Sequence, residues 1–168
     1  MSKDGGATPP PYVVDLSVAV AVARFDASIM SLMQGYDARG QSLVVPVLTL
    51  TGASLDVRTD DADDLLEGLE RLGNAEVAPV RDAEQATRLA EVIARTGLDP
   101  WDAHVAAVAD AAVCPILTLD AAKWQEHARD LDEPLHFIQI TDPDEAPGGP
   151  GAEQTDPDEA PGGPGAEQ

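Results

Sequence analysis

The sequence predicts an α/β fold in which a central parallel sheet of four to five strands lies between two layers of helices. Short runs rich in valine, leucine and isoleucine alternate with longer segments whose apolar residues recur at helical spacing. This alternation is typical of βαβ units, whose crossover helices cover both faces of a parallel sheet. With 168 residues, 43% of them hydrophobic, the chain has the length and the core material for one such domain.

Five apolar runs predict strands; those at 12–14 and 116–119 have the composition of buried strands, and the run at 77–80 is a short strand or an edge segment. They cover residues 12–14, 43–45, 77–80, 116–119 and 135–140. Between them, periodic segments predict helices over 17–23, 26–40, 48–57, 61–72, 82–95, from 99 onward, and 121–128.

The boundaries of these helices follow from capping residues. Ser17 is predicted to cap the first helix, and Gly73 to close the fourth. Asp99 fits the N-cap of the helix that opens with Pro100, which puts Asp102 in its first turn.

Composition divides the chain into three regions. Residues 1–10 are predicted to be a flexible N-terminus, 11–140 the α/β domain, and 141–168 a disordered acidic tail. The tail is a tandem repeat of TDPDEAPGGPGAEQ, with no apolar residue larger than alanine to offset its chain entropy. We interpret it as a solubilising tail; a partner-binding acidic tail is the alternative.

The charge is strongly acidic, with a formal net value of −21. Eight acidic residues lie in the tail, so residues 1–140 carry −21 plus 8, or −13. This charge argues against broad phosphate binding through lysine and arginine, although a bound cation can bridge acids to nucleic acid. The sequence shows neither a signal-peptide pattern nor an apolar run of membrane-spanning length, and we expect a cytoplasmic protein without membrane association.

Three aspartates stand where predicted strands end or a helix begins. Asp15 and Asp120 directly follow apolar strands, and Asp102 lies in the first turn of its helix. Ligands of open parallel sheets bind at the carboxyl ends of strands, and clustered carboxylates select Mg²⁺ or Mn²⁺. Each aspartate also has a purely structural interpretation: Asp15 as a strand end, Asp102 as a partner of the helix dipole, and Asp120 as an N-cap.

Three segments, in this order, resemble motifs of the PIN-domain family. They are VVDLSVAV, VVPVLTLTGASL and DAHVAAVADAAVCPILTLD, within a similarity that spans roughly residues 12–140. The third segment is the most specific. The family includes toxin ribonucleases of the VapC type, and the resemblance implies a PIN-like three-layer α/β/α fold and a nuclease that cleaves RNA with Mg²⁺ or Mn²⁺.

Carried over by position, the catalytic and metal-binding residues that the resemblance implies are Asp15, Asp102 and Asp120. Ser17 and Thr118 match polar residues beside the family's site, where they hold waters or orient carboxylates. An RNA substrate is implied, and an antitoxin protein and a second copy of the chain are the partners that the resemblance admits.

The chain departs from the family at one acidic position. A glutamate is usual where this sequence has Gly52, or Thr51 if the alignment shifts by one residue. Asp56 lies one helical turn further on, where it either replaces the missing acid in part or is a surface residue without a role in the site. If Gly52 has room, Gly52→Glu is expected to tighten Mn²⁺ binding.

The predicted function is a Mg²⁺- or Mn²⁺-dependent endoribonuclease of the PIN-domain type, the toxin of a toxin–antitoxin pair. The alternative is a PIN-like domain with degraded chemistry that binds protein or RNA. The three retained acids favour the first, and the missing glutamate and acidic charge favour the second. If the acids form a mutually repelling cluster, Asp15→Asn is expected to cost no stability.

Overall fold

The computed structural model describes residues 8–141, which form a five-stranded sheet and seven helices. The strands are β1 (Tyr12–Val14), β2 (Leu43–Pro46), β3 (Ala75–Ala78), β4 (Ile116–Thr118) and β5 (Phe137–Gln139). The helices are α1 (Leu16–Ala23), α2 (Ala27–Ala38), α3 (Val47–Val57), α4 (Asp60–Glu70), α5 (Ala83–Thr96), α6 (Pro100–Ala112) and α7 (Ala121–His127). Of the predicted flexible N-terminus and acidic tail, residues 1–7 and 142–168 lie outside these described residues.

All five strands are parallel, in the order β3-β2-β1-β4-β5. From β1 the chain builds outward through β2 and β3, and then returns to the other side of β1 with β4 and β5. The order therefore reverses between β1 and β4, whose carboxyl ends flank a crevice of the kind where α/β sheets bind ligands.

Two apolar cores cover the two faces of the sheet. On one face, Val14 and Leu117 pack with side chains of α1 to α4. On the other, Val13 and Ile116 pack with side chains of α5, α6 and α7. Neighbouring residues of one strand thus point to opposite cores, as the pleat of a strand requires, and the predicted three-layer α/β/α architecture is confirmed.

The predicted third strand was placed too late in the chain. It pairs with β2 from Ala75, opposite Leu43, to Ala78, opposite Pro46. Pro79 follows at once and lacks the N–H that a further ladder bond would need. The strand consequently ends before it reaches the predicted segment's last residues.

Two predicted caps are also wrong. Asp15, with extended backbone, caps α1 by accepting a hydrogen bond from the Val18 N–H, which leaves Ser17 inside the first turn. The fourth helix ends with Arg71 as its C-cap, before Gly73. The loop beyond it is held instead by Asn74, whose N–H donates to the Asp37 carboxylate at 2.7 Å.

None of the helices within residues 8–141 is by itself both long enough and apolar enough to cross a membrane. The consecutive helices α1 and α2 pass such a test only as a joined pair, bent by 114°.

The ends of α5 and α6 offer a matched test of backbone strain. Gly97 and Val113 both adopt left-handed backbone conformations, with φ of 70° and 52°, and Val113 is 70% exposed. This conformation costs an L-residue about 1–2 kcal/mol, and a β-branched residue adopts it least readily. Val113→Gly is therefore expected to raise the free energy of unfolding by about 1 kcal/mol, measured by urea denaturation.

The reciprocal substitution is Gly97→Val. An added Cβ at Gly97 would meet no atom within 4 Å, so the effect reports on the backbone alone. It is expected to lower the free energy of unfolding by about 1–2 kcal/mol. A loss of stability in Val113→Gly would show instead that the Val113 side chain makes contacts that outweigh the strain.

Candidate functional site

The candidate site lies at the carboxyl ends of β1 and β4, where the strand order reverses. Asp15 directly follows β1, and Thr118 is the last residue of β4. Asp120 follows two residues later as the N-cap of α7, and Asp102 lies in the first turn of α6. The topology thus delivers the predicted acids to one edge of the sheet.

Asp15 is completely buried, and protein donors already engage both of its carboxylate oxygens. Oδ1 accepts hydrogen bonds from the Ser17 hydroxyl at 2.6 Å and the Val18 N–H at 3.1 Å. Oδ2 accepts one from the Trp124 indole N–H at 2.9 Å. Three donors therefore stabilise the buried carboxylate, which would be costly to bury without them.

Ser17 and Thr118 link the acid to the end of β4. The Ser17 hydroxyl, which donates to Asp15, accepts a hydrogen bond from the Leu119 N–H at 2.9 Å. The Thr118 hydroxyl oxygen lies 3.4 Å from that of Ser17 and accepts from the Asp120 N–H at 2.9 Å. The Ser17 hydroxyl therefore contacts the carboxylate, and both hydroxyl groups accept hydrogen bonds from the backbone that follows β4.

Asp102 is buried and pairs with a residue that the sequence interpretation overlooked. Its Oδ1 accepts a hydrogen bond from the Lys123 ammonium at 2.9 Å, and the same Nζ lies 3.8 Å from Oδ2 of Asp15. Burial raises the pKa of Asp102, while the hydrogen bond and positive charge of Lys123 lower it. Lys123 therefore joins the two buried acids into one charge cluster.

Asp120 stands apart from this pair in its role. Its side chain is exposed, and Oδ1 accepts a hydrogen bond from the backbone N–H of Lys123 at 3.2 Å. It is thus the N-cap that one of its alternative interpretations predicted. This cap fixes the backbone from which the Lys123 side chain extends toward Asp102.

Asp56, the candidate replacement for the missing glutamate, has a partner elsewhere. It forms a surface ion pair with Arg24 at 2.6 Å, and the two side chains are 46% and 62% exposed. This contact agrees with the alternative that Asp56 is a surface residue.

Gly52 lies under the side chains that neighbour the two buried acids. A Cβ at this position would meet Cγ of Trp101 at 2.9 Å and Cδ1 of Leu16 at 3.0 Å. Leu16 follows Asp15 in the chain, and Trp101 precedes Asp102. If Gly52, not Thr51, matches the family's glutamate, that position is closed by packing, and the structure removes the premise that Gly52→Glu would fit.

The sequence interpretation did not identify Lys123, Trp124 and Trp101, although each belongs to a residue type that is rare in this chain. The whole chain has two lysines, Lys3 and Lys123, and two tryptophans. Both tryptophans lie close in sequence to a candidate acid, in a chain whose aromatic content is 4%. Large residues of rare types close to candidate acids would have indicated these three side chains as members of the site.

The residues present do not fit a divalent cation in this arrangement. Mg²⁺ requires oxygen ligands at about 2.1 Å, and the place between Asp15 and Asp102 is taken by an ammonium group. Within residues 8–141, no group of three histidine, cysteine or acidic side chains is arranged to hold a metal ion. The donor chemistry is suitable, but the Lys123 ammonium already balances one of the two negative charges.

Comparisons with known proteins show which protein family and which solved structures the chain is similar to. Residues 12–130 match the family model of the PIN domain. The fold is similar to that of VapBC2 from Rickettsia felis, solved bound to a DNA fragment from its promoter. That similarity has a TM-score of 0.53 and 13% identity, and covers 76% of this chain and 97% of the other.

A second solved structure, PAE2754 from Pyrobaculum aerophilum, aligns with a TM-score of 0.47 and 20% identity. The alignment covers 79% of this chain and 88% of that protein. No curated protein matches the chain in sequence.

On the sequence alone, Asp15→Asn is expected to cost no stability, but the hydrogen bonds of Asp15 predict a loss. An asparagine amide would present its own donors to one of the groups that now donate to the carboxylate, and would remove the partner charge of Lys123. We expect the free energy of unfolding to fall by about 2–4 kcal/mol, measured by urea denaturation. Asp99→Asn is the control, because Asp99 is exposed and makes no side-chain capping bond. Equal stability of Asp15→Asn and the wild type would restore the repelling-acid interpretation.

The packing at Gly52 predicts that Gly52→Ala changes the free energy of unfolding in opposite directions in the wild type and in Trp101→Ala. Gly52→Ala should lower the free energy of unfolding by about 1–3 kcal/mol, because the new methyl group overlaps Trp101. In a Trp101→Ala background the tip of Leu16, 3.0 Å from the new methyl group, can shift into the space that the indole leaves. The same substitution should then raise the free energy of unfolding by about 1 kcal/mol, the helix propensity gain of alanine over glycine. Thermal denaturation of the four proteins in this cycle measures the coupling. Additive effects would show that Trp101 does not restrict the position.

Proposed function

The chain belongs to the PIN domain family, and from that premise we propose that it is a toxin-like protein that acts by binding a partner protein. Family membership and the VapBC-like fold support a PIN-type nuclease ancestry and a toxin–antitoxin setting. The proposal adds that this chain's nuclease centre has been rebuilt, so that partner binding is the function that remains.

The observation that carries the proposal is the closure of Gly52 by Trp101 and Leu16. A carboxylate at this position would complete a four-acid centre, and fewer carboxylates hold a divalent cation less strongly. A side chain at Gly52 would need Trp101 and Leu16, the neighbours of Asp102 and Asp15 in the chain, to move away.

The charge of the chain supports the same conclusion. Nucleic acids are bound through basic side chains that neutralise phosphates. Residues 1–140 hold a large excess of acids over bases, with a formal charge of −13 once the eight acids of the tail are set aside from −21. Without a bound cation, the domain would repel an RNA backbone.

A surface suited to a protein partner lies between α3 and α4. This groove, about 430 Å³ in volume, has apolar side chains from Leu50, Leu55 and Leu66. Leu55 is 50% exposed, unusually open for a large apolar residue. Acidic side chains border the groove, namely Asp63, Glu67 and Glu70. An apolar floor with an acidic border complements a basic amphipathic segment.

The occupant we assign to the groove is a basic segment of an antitoxin-like protein. VapBC2 from Rickettsia felis, whose fold is similar, was solved bound to a DNA fragment from its promoter. A DNA-binding partner would itself be rich in lysine and arginine, and the acidic border of the groove complements such a protein. A homodimer and a cytoplasmic location stay predictions of the sequence.

A Mg²⁺- or Mn²⁺-dependent endoribonuclease is the second candidate, favoured by the retention of Asp15 and Asp102 at the reversal of strand order. In that case the two acids, with Asp120 beside them, would hold the ion, and it would supply charge stabilisation and an activated water for phosphodiester cleavage. Ser17 and Thr118 would orient the acids. This candidate requires the Lys123 side chain to leave the cluster.

Cleavage of a structured RNA distinguishes the two candidates. The wild-type protein is expected to cleave at the same background rate in Mn²⁺ and in EDTA, because the Lys123 ammonium already lies against the two buried acids. Gel analysis of end-labelled RNA provides the measurement, with Asp102→Asn as the matched control for contaminating nuclease. A Mn²⁺-dependent rate that Asp102→Asn abolishes would establish the ribonuclease instead.

Partner binding is tested with a synthetic basic amphipathic helical peptide, the kind of segment that the groove complements. Leu55→Glu should weaken the complex at least about tenfold, since it places a charge on the apolar floor of the groove. Val113→Glu is the control, because Val113 is also exposed and does not line the groove. Isothermal calorimetry measures both affinities. Equal affinities of the two variants would move the interface away from α3 and α4.

A further inference from the structure

We propose that the Lys123 ammonium is the resident cation of this PIN centre, and that it is the residue that keeps divalent ions out. The inference concerns the centre's ion selectivity, and it holds whether or not a partner occupies the groove between α3 and α4. It rests on where the ammonium lies, on what holds it there and on which charges it balances.

The ammonium occupies the place that a bridging cation would need. It lies 2.9 Å from Oδ1 of Asp102 and 3.8 Å from Oδ2 of Asp15, so it contacts one buried acid and faces the other. A divalent ion shared by the same two carboxylates would lie within a few ångströms of Nζ. In a partly buried site, two cations at such a distance repel strongly. Binding of the ion would therefore require the lysine to move out.

The lysine is held by the structure around it. Its backbone N–H is bound to the Asp120 cap, and its ammonium lies 5.1 Å from the centre of the Trp124 ring. The same indole donates to Asp15 from its N–H. The Lys123 side chain is 23% exposed. Consecutive residues of α7 thus supply both a cation and a hydrogen-bond donor to the acid pair.

The charges of the cluster balance differently from those of a metal centre. Asp15, Asp102 and Lys123 sum to one negative charge, whereas the two acids alone would carry two. An ammonium group donates up to three hydrogen bonds and is a compact monovalent charge. It can therefore satisfy the buried acids during folding without any ion from solution. Removal of the ammonium should leave an acid pair that recruits a divalent cation.

The test compares Mn²⁺ binding in three EDTA-treated proteins: wild type, Lys123→Ala and Arg95→Ala. Arg95→Ala is the matched control, because it removes the same charge from an exposed ion pair with Asp132. Calorimetry should show saturable one-site binding in Lys123→Ala, at least about tenfold tighter than in the other two proteins. The melting temperature of Lys123→Ala alone should rise with Mn²⁺.

Two results would overturn the proposal. One is saturable Mn²⁺ binding to the wild type as tight as to Lys123→Ala. The other is weak binding in both, which would show that Lys123 is not what excludes the ion. Tighter Mn²⁺ binding in Lys123→Ala supports the proposal even if the wild type proves to lack a protein partner. The two proposals can therefore fail separately.

A second measurement uses only the wild type, so it can be made even if Lys123→Ala does not fold. Mn²⁺ broadens the NMR signals of amides near its binding site. At one equivalent, the amides of Val18 and Ala103, which adjoin the two buried acids, should stay sharp in the wild type. Selective broadening of these amides would overturn the proposal. Lys123→Gln, which keeps much of the side-chain length, provides a second folded form for calorimetry.

Discussion

The centre of this fold depends on the compensation of two buried carboxylates. Asp15 is completely buried and Asp102 nearly so, and an unpaired charge at either place would carry a large desolvation penalty. Their donors come from α1 and α7, elements that lie about a hundred residues apart in the chain. Those elements must meet for the acids to be tolerated. The acid pair therefore specifies how α6 and α7 dock against the sheet at the reversal of strand order.

The sequence predicted the architecture well because its signals are local. Valine-rich runs separated by periodic segments identified the parallel sheet, and Asp15 and Asp120 were placed at strand ends by counting along the chain. Positions at strand ends follow from backbone direction alone. The residues at which a strand begins and ends depend on its pairing with the neighbouring strand. The third strand begins at Ala75 because β2 offers it a partner there, which no pattern within that segment states.

The contacts inside the centre could not be predicted in the same way. Lys123 is 21 residues from Asp102 in the chain, and the Trp124 indole reaches an acid 109 residues away. Which of several side chains approaches a buried charge is decided by helix docking, not by spacing in sequence. The closure of Gly52 is likewise a tertiary fact: the substitution was visible in the sequence, but the tryptophan that fills its space was not. The sequence therefore identified the place of the centre and left its chemistry open.

The positions of the two tryptophans give the molecule an intrinsic optical probe. Trp101 packs over Gly52 beside one buried acid, and Trp124 shares its indole N–H with the other. The chain has no further tryptophan, so its near-ultraviolet emission arises almost entirely from the two sides of one centre. Indole emission shifts in wavelength with nearby charge and solvent access. Unlabelled protein in solution thus reports the electrostatic state of its own centre.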